Sequence, residues 1–266
     1  MKSDPALPRT PITVSVVIPV YNDAAFLRTC LRALAEQRRP ADEIIVVDNA
    51  CTDASAAIAR AAGVRVVTEP HRGIWPAAAT GYDAATGAVI ARLDADSVPP
   101  VDWVERIAER FQAEPGLFVY TGPGDFYGCG PITALLGRRL YIGGYFLWMG
   151  LWLGHPPLFG SNFAMRREVW AATRDRVRRD SDTVHDDLDF SMHLGADHPV
   201  TLDRSLRVGI SARPFGTPRG LGRRVAWAGR TLFAGWPEYA PWRIRRNAGS
   251  RRPRSGSAGR VQRPRA

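Results

Sequence analysis

Asp94 and Asp96, separated only by Ala95, are the pair in this sequence most suggestive of chemistry; they lie in Val89–Pro100, V-I-A-R-L-D-A-D-S-V-P-P. An apolar run climbs to Leu93 and meets the carboxylates at its end. Val89–Leu93 reads as a buried strand of a parallel sheet, and ligands of such sheets sit beyond the carboxyl ends of the strands. Residues two apart on an extended chain point the same way, so two like charges this close favour a cation between them. Hard divalent cations such as Mg2+ or Mn2+ prefer carboxylate and phosphate oxygens. The pair therefore suits a metal held against a diphosphate. It suits an acidic helix N-cap equally well, because Ser97, Pro99 and Pro100 lead toward a helix.

The elements that must position these residues are legible upstream. Val14–Val20 (V-S-V-V-I-P-V) reads as a buried strand, followed by Tyr21-Asn22-Asp23. A helix is predicted from about Ala24 to Gln37, with Phe26, Leu27, Cys30, Leu31 and Leu34 on one face. Glu43–Val47 is a second strand ending in Asp48-Asn49. Thr52 or Asp53 caps a helix of Ala54–Ala62, and Val64–Thr68 is a third strand. His71-Arg72-Gly73 turns the chain into a helix of Ala77–Ala85. Beyond Asp96, Val101–Gln112 reads as an amphipathic helix and Leu117–Thr121 as a strand. Strand–helix alternation with short connections is the signature of a doubly wound, mostly parallel sheet. No G-x-G-x-x-G follows the first strand and no G-x-x-x-x-G-K-[ST] occurs, so a glycine cradle for phosphate is absent.

With 266 residues, 45% hydrophobic and 23% charged, the chain fits an ordinary globular protein with an ample core. Cys30, Cys51 and Cys129 are widely spaced and odd in number, which argues for a reducing, cytoplasmic setting and against structural zinc. The opening M-K-S-D-P-A-L-P-R-T-P has no apolar core, so no signal peptide is expected. The net charge of +10 is concentrated at one end. Residues 213–246 carry eight Arg against Glu238, and residues 247–266 carry six Arg and no acid. Four segments are expected: a tail over residues 1–12, the main domain over 13–212, a basic amphipathic stretch over 213–246 and a disordered Arg-rich tail over 247–266.

Four motifs then line up in order: Val14–Asp23 (V-S-V-V-I-P-V-Y-N-D), Ile44–Ser55 (I-I-V-V-D-N-A-C-T-D-A-S), Leu93–Pro99 (L-D-A-D-S-V-P) and Phe159–Trp170 (F-G-S-N-F-A-M-R-R-E-V-W). Together they resemble the inverting family 2 glycosyltransferases of the GT-A fold, over roughly Val14 to Val208. A fifth segment, Val184–Leu194 (V-H-D-D-L-D-F-S-M-H-L), resembles that family's E-D-x-D-L-x-x-R region.

The resemblance implies an α/β, Rossmann-like sheet flanked by helices and a nucleotide-diphosphate sugar as donor. Asp48 would accept the ring N–H of the base, or else act as a helix N-cap. Pro19, Tyr21, Asn22 and Asp23 would line the base and ribose pocket, with Gly73 and Ala95 beside it. Asp94 would face the ribose or a metal-bound water, and Asp96 would ligate Mg2+ or Mn2+ against the leaving diphosphate. Gly160, Ser161 and Asn162 would border the donor sugar and acceptor. Asp187, beside Asp186, would be the general base that takes the acceptor proton; the acidic run would otherwise simply stabilise a helix N-terminus. Two departures bear on this. Ala77-Ala78-Ala79-Thr80-Gly81 replaces the family's A-R-N-x-G, leaving His71 or Arg72 to meet phosphate. No His follows the last core strand in Leu206–Ala212 (L-R-V-G-I-S-A), where the family often completes its metal shell, and His185 or His193 would have to substitute.

The acceptor expected is a hydroxyl on a lipid-linked or cell-envelope glycan, since an ionised lipid phosphate needs no protein base. Within Ile132–Leu153 the uncharged run Leu140–Leu153 is too short to span a bilayer, and the segment reads as a core helix in preference to a membrane-interface segment. Arg213–Arg246 interleaves Arg with Trp227, Phe233, Trp236 and Trp242, which suits the anionic inner face of a plasma membrane; no nucleic-acid motif accompanies it. The competing readings are a sugar nucleotidyltransferase and a non-catalytic binding protein on the same fold.

Overall fold

In the computed structural model, residues 11–181, 184–195, 197–213, 218–234, 236 and 240 are described. The apolar run Val14–Val20 forms β1, every residue of it buried. Its side chains alternate between two cores: Val14, Val16 and Ile18 enter one, and Val17 enters the other, as strand periodicity requires. β1 pairs in parallel with β2 (Glu43–Asp48) on one side and β4 (Val89–Arg92) on the other, and β3 (Arg65–Thr68) extends the sheet beyond β2. The order β3-β2-β1-β4-β7-β5-β8 is completed by β5 (Val119–Thr121), β7 (Phe163–Arg166) and β8 (Val200–Leu202). β7 runs antiparallel between β4 and β5, so the sheet is mostly parallel, as expected. A two-stranded sheet, β6 (Gly124–Tyr127) with β9 (Val208–Ser211), stands apart from it.

One face is covered by α1 (Ala24–Ala35), α2 (Ser55–Ala61) and α4 (Trp103–Ala113). Leu27, Cys30, Leu31 and Leu34 of α1 are buried, as are Val104, Ile107 and Phe111 of α4. The other face carries α3 (Ile74–Ala84), α7 (Arg167–Thr173) and α8 (Asp186–His193). α3 begins at Ile74 rather than Ala77, and Trp75 and Ala77–Ala79 are buried on the sheet. Small residues are required there: a Cβ on Gly81 would collide with Val17 Cγ1 and come within 2.9 Å of Val47 Cγ2.

Ile132–Leu153 departs from the expected core helix. It forms α5 (Pro131–Leu136), a π-helical turn (Gly137–Ile142) and α6 (Gly143–Leu153). Ile132 (74%), Leu140 (71%) and Trp148 (66%) are exposed, and Leu135, Leu136, Leu147 and Leu151 join them. The physical reason is α6 itself, whose apolar residues run round the whole circumference, so that one sheet contact cannot bury them. In the basic segment, α9 spans Pro218–Ala234, and its Ala228 and Leu232 pack on Leu153, Leu188 and Met192. Residues 1–10 and the Arg-rich tail over 247–266 lie outside the described residues.

Candidate active site

The loops after β1, β2 and β4 converge at the carboxyl edge of the sheet. Asp48 ends β2 and accepts a hydrogen bond from Cys51 N (3.0 Å). Asn49 is buried and ties down the following loop. It donates to Glu69 O and His71 O and accepts from Gly73 N (2.9 Å). That loop brings the Arg72 guanidinium to 4.0 Å above the Tyr21 ring. Asn22 holds a left-handed backbone (φ 48°). Its side chain braces the next loop, accepting from Thr52 N (2.7 Å).

Asp94 and Asp96 do not cap a helix: α4 starts at Trp103, well beyond them. The chain turns after β4, with Ser97 N donating to Asp94 O, and each carboxylate meets its own cation. Asp94 accepts from Arg92 Nη2 (2.9 Å) and from Ser161 Oγ (2.6 Å). Asp96 accepts from Arg213 Nη2 (3.0 Å). Arg213 also grips both carboxylate oxygens of Asp23, at 2.8 and 2.7 Å. Burial pushes the Asp96 carboxyl up and Asp94 adds to this, while Arg213 opposes it. Neither Arg92 nor Arg213 was singled out in the sequence. The signal for Arg92 was a lone charge inside the run V-I-A-R-L, and for Arg213 its place directly after the last strand.

Arg92 is 1% exposed and links the two halves of the site. Beyond Asp94 it faces Asp186 of α8, with Nη1 2.5 Å from Oδ2, outside hydrogen-bond direction. Burial pushes the Asp186 carboxyl upward against the pull of this guanidinium. Asp187 points elsewhere: its Oδ2 accepts from Gly160 N (2.9 Å) and its Oδ1 from Leu188 N (2.8 Å). A Cβ on Gly160 would lie 2.8 Å from Arg92 Nη1 and 3.1 Å from Asp187 Oδ2, so only glycine lets the backbone come this close. Gly160 and Ser161 thus join Asp187 to Asp94.

Four residues of the matched motifs are placed differently. Asn162 is fully buried. It accepts from Trp103 Nε1 and donates to Pro123 O and Leu206 O, so it fastens the loop and does not face a sugar. Asp189 turns inward to Trp75 Nε1 (2.9 Å) and Arg178 Nη1 (2.5 Å) and stands apart from its acidic neighbours. His193 is buried with Nδ1 2.7 Å from Asp189 O, and the His185 ring packs on Trp227. The divalent-cation reading finds no fit. Asp94 spends its oxygens on Arg92 and Ser161, and Asp96 is engaged by a guanidinium. Among the described residues no three His, Cys, Asp or Glu side chains gather to hold a metal.

A strand-end cluster of carboxylates, bordered by a close-packed Gly-Ser loop and an acidic helix start, can bind a polar ligand and accept a proton beside it. The chain is similar to known glycosyltransferases. Glycosyltransferase AglE of Haloferax volcanii is 37% identical over 101 residues, covering 35% of this chain and 33% of that protein. An undecaprenyl-phosphate 4-deoxy-4-formamido-L-arabinose transferase of Sodalis glossinidius is 36% identical over 106 residues, 36% of this chain and 32% of that one. The chain therefore spans about a third of the length of these curated relatives. Among solved structures, the mannosyltransferase PcManGT of Pyrobaculum calidifontis, in complex with GDP-Man and Mn2+, superposes with a TM-score of 0.67. It shares 20% identity and covers 90% of this chain and 70% of its own. The glucosyl-3-phosphoglycerate synthase of Mycobacterium tuberculosis, with Mn2+, UDP and glucosyl-3-phosphoglycerate, gives 0.56 at 20% identity, covering 88% and 86%. These two show the shared GT-A fold. The family model described as Glycosyl transferase family 2 matches residues 15–172, more than half of the chain, and the chain belongs to that family.

Proposed function

We propose that this chain moves a sugar, with inversion, from a nucleotide-diphosphate sugar to a hydroxyl acceptor. One observation carries the reading. Asp187 accepts from the Gly160 N–H while the adjoining Ser161 bonds Asp94, so the base stands one short loop from the donor carboxylates. In the step, the acceptor oxygen bonds to the anomeric carbon as its proton passes to Asp187. The bond from that carbon to the diphosphate oxygen breaks, and its electron pair leaves with the nucleoside diphosphate. Pro19, Tyr21, Asp48 and Gly73 border the base, Asp94 and Ala95 the ribose, and Gly160 and Ser161 the transferred sugar. Asp186 stays paired with Arg92. No step is routed through a metal, because Asp94 and Asp96 are committed elsewhere. The test is incubation with UDP-, GDP-, dTDP- and CDP-sugars and lipid-linked glycan acceptors. Consumption of one nucleotide class with an inverted anomeric configuration in the product is expected; a retained configuration would contradict the reading.

The acceptor end of the site adjoins the exposed apolar face. Tyr145 and Phe146 of α6 pack on Phe159, next to Gly160, and Leu140, Leu147, Trp148 and Leu151 lie open beyond them. No helix among the described residues is long and apolar enough to cross a membrane. Arg138 (55% exposed) and Arg139 flank the face, which favours an anionic bilayer surface and hence a lipid-linked hydroxyl acceptor. A relative's name includes undecaprenyl-phosphate, in keeping with a lipid at this surface although its acceptor group is a phosphate. Vesicle flotation tests it: the chain should float with phosphatidylglycerol vesicles, and Leu140→Glu with Trp148→Glu should stay at the bottom. A chain that ignores such vesicles at low salt would remove the membrane surface from the account.

A further inference from the structure

The cation at the donor carboxylates belongs to the chain itself. Arg213 is held by three charged contacts: a two-pronged grip on Asp23 and a bond to Asp96 Oδ2. Its guanidinium also lies 3.9 Å above the Phe26 ring. A planar guanidinium fork suits two carboxylates in a way a flexible ammonium does not. Asp96 and Arg213 are both tied to the small sheet. Val98, two residues past Asp96, exchanges a pair of backbone hydrogen bonds with Gly209 of β9 at 2.8 Å each. Tyr127 of β6 donates to Asp96 O (2.7 Å). Since β9 ends at Ser211, Arg213 meets the turn that carries Asp96 in a set register.

We infer that Arg213 is the resident cation of the donor site, so that a nucleoside diphosphate binds without a divalent metal. The inference rests on the donor reading proposed above. A divalent ion on Asp96 would sit against a like-charged guanidinium and would have to break its grip on Asp23 and Asp96 to gain those oxygens. Its other shell is not assembled either: Asp94 is occupied by Arg92 and Ser161, and among the described residues no three His, Cys, Asp or Glu side chains gather to hold a metal. A guanidinium brings one charge where a divalent ion brings two. Arg72 lies over the ring of Tyr21, two residues before Asp23, and is a second guanidinium on the loops at the strand ends. Together they offer guanidinium N–H donors to a diphosphate, Arg213 through those not spent on Asp23 and Asp96.

Calorimetric titration of the full chain with UDP, GDP, dTDP and CDP, in EDTA and in MnCl2, tests this directly. The nucleotide that binds should show dissociation constants in the two buffers within about threefold of each other, and Arg213→Ala should weaken binding in EDTA by about tenfold or more. Arg213→Lys should recover only part, because the fork is lost. Binding that requires Mn2+, or an Arg213→Ala variant that binds as wild type in EDTA, overturns the inference and leaves the donor reading standing. No binding of any nucleotide in either buffer overturns both. If Arg213→Ala does not fold, the wild-type comparison of the two buffers decides alone.

Discussion

Arg92→Met should be among the most damaging single substitutions in this chain. The guanidinium is 1% exposed and faces Asp186, whose side chain is 5% exposed. Met keeps an apolar stem and removes the charge, leaving Asp186 buried without its counter-ion. Breaking a buried pair from one side costs about 3–5 kcal/mol. At about 2–4 °C per kcal/mol for a chain of roughly this size, the melting temperature should fall by about 6–20 °C. The double variant Arg92→Met with Asp186→Asn leaves only the part-exposed Asp94 without its guanidinium and should recover more than half of the loss. The pH dependence has a definite sign. Without Arg92, the burial that raises the Asp186 carboxyl is unopposed from that side. A carboxyl whose folded pKa lies above its unfolded value takes up a proton on folding, so the deficit of Arg92→Met shrinks as pH falls and grows as it rises. Melts of wild type, both single variants and the double variant, followed by circular dichroism across pH, measure all of this. A single variant within about 2 °C of wild type, or a double variant no better than Arg92→Met, would refute the reasoning.

Other outcomes follow from the same contacts. Gly81→Ala should destabilise by about 1–3 kcal/mol through overpacking against Val17 and Val47, although helix propensity alone would favour Ala by about 1 kcal/mol; urea unfolding decides the sign. Gly160→Ala should lower the melting temperature by about 2–12 °C and cut turnover by about 10²-fold, because its Cβ presses on the buried Arg92 and on Asp187 and shifts the base. Acid should unfold the protein partly through Glu43. Burial pushes that carboxyl up, but hydrogen bonds from Ser15, Thr86 and Arg65 hold it at about 2, against an ordinary 4.5. Asp203, bonded by Ser205 and Tyr120, is likewise held at about 2. Their stabilisation is present above the unfolded values and lost as pH falls toward about 2. Glu43→Gln should therefore flatten the acid limb of a stability–pH curve, removing about 2–3 kcal/mol of it.

The frame of the fold was legible because buried parallel strands write continuous apolar runs, as in Val14–Val20 and Val89–Leu93. The carboxylates at their ends were legible because ligands of such sheets gather there. What escaped was whatever depends on a partner distant in sequence. Asn162 belongs to a site motif, yet Trp103, Pro123 and Leu206 claim it, and nothing nearby in the chain announces that. Arg213 reads as the first residue of a basic tail until β9 carries it to Asp23 and Asp96. The early start of α3 escaped because Pro76 in its first turn looks like a break, although proline is tolerated there. The exposed face of α5 and α6 escaped because an apolar run carries no mark of which side, if any, it will bury.

The proton transfer at Asp187 is the centre of the account, and Asp187→Asn tests it most directly. Asn keeps the shape and an acceptor oxygen for the Gly160 N–H but cannot take a proton at working pH. With the donor identified, release of nucleoside diphosphate in the presence of acceptor should fall by about 10²–10⁴-fold, while donor binding stays within a few-fold of wild type. A variant that turns over at the wild-type rate would show that Asp187 is not the base, and the mechanism built on its place beside Gly160 would fall with it.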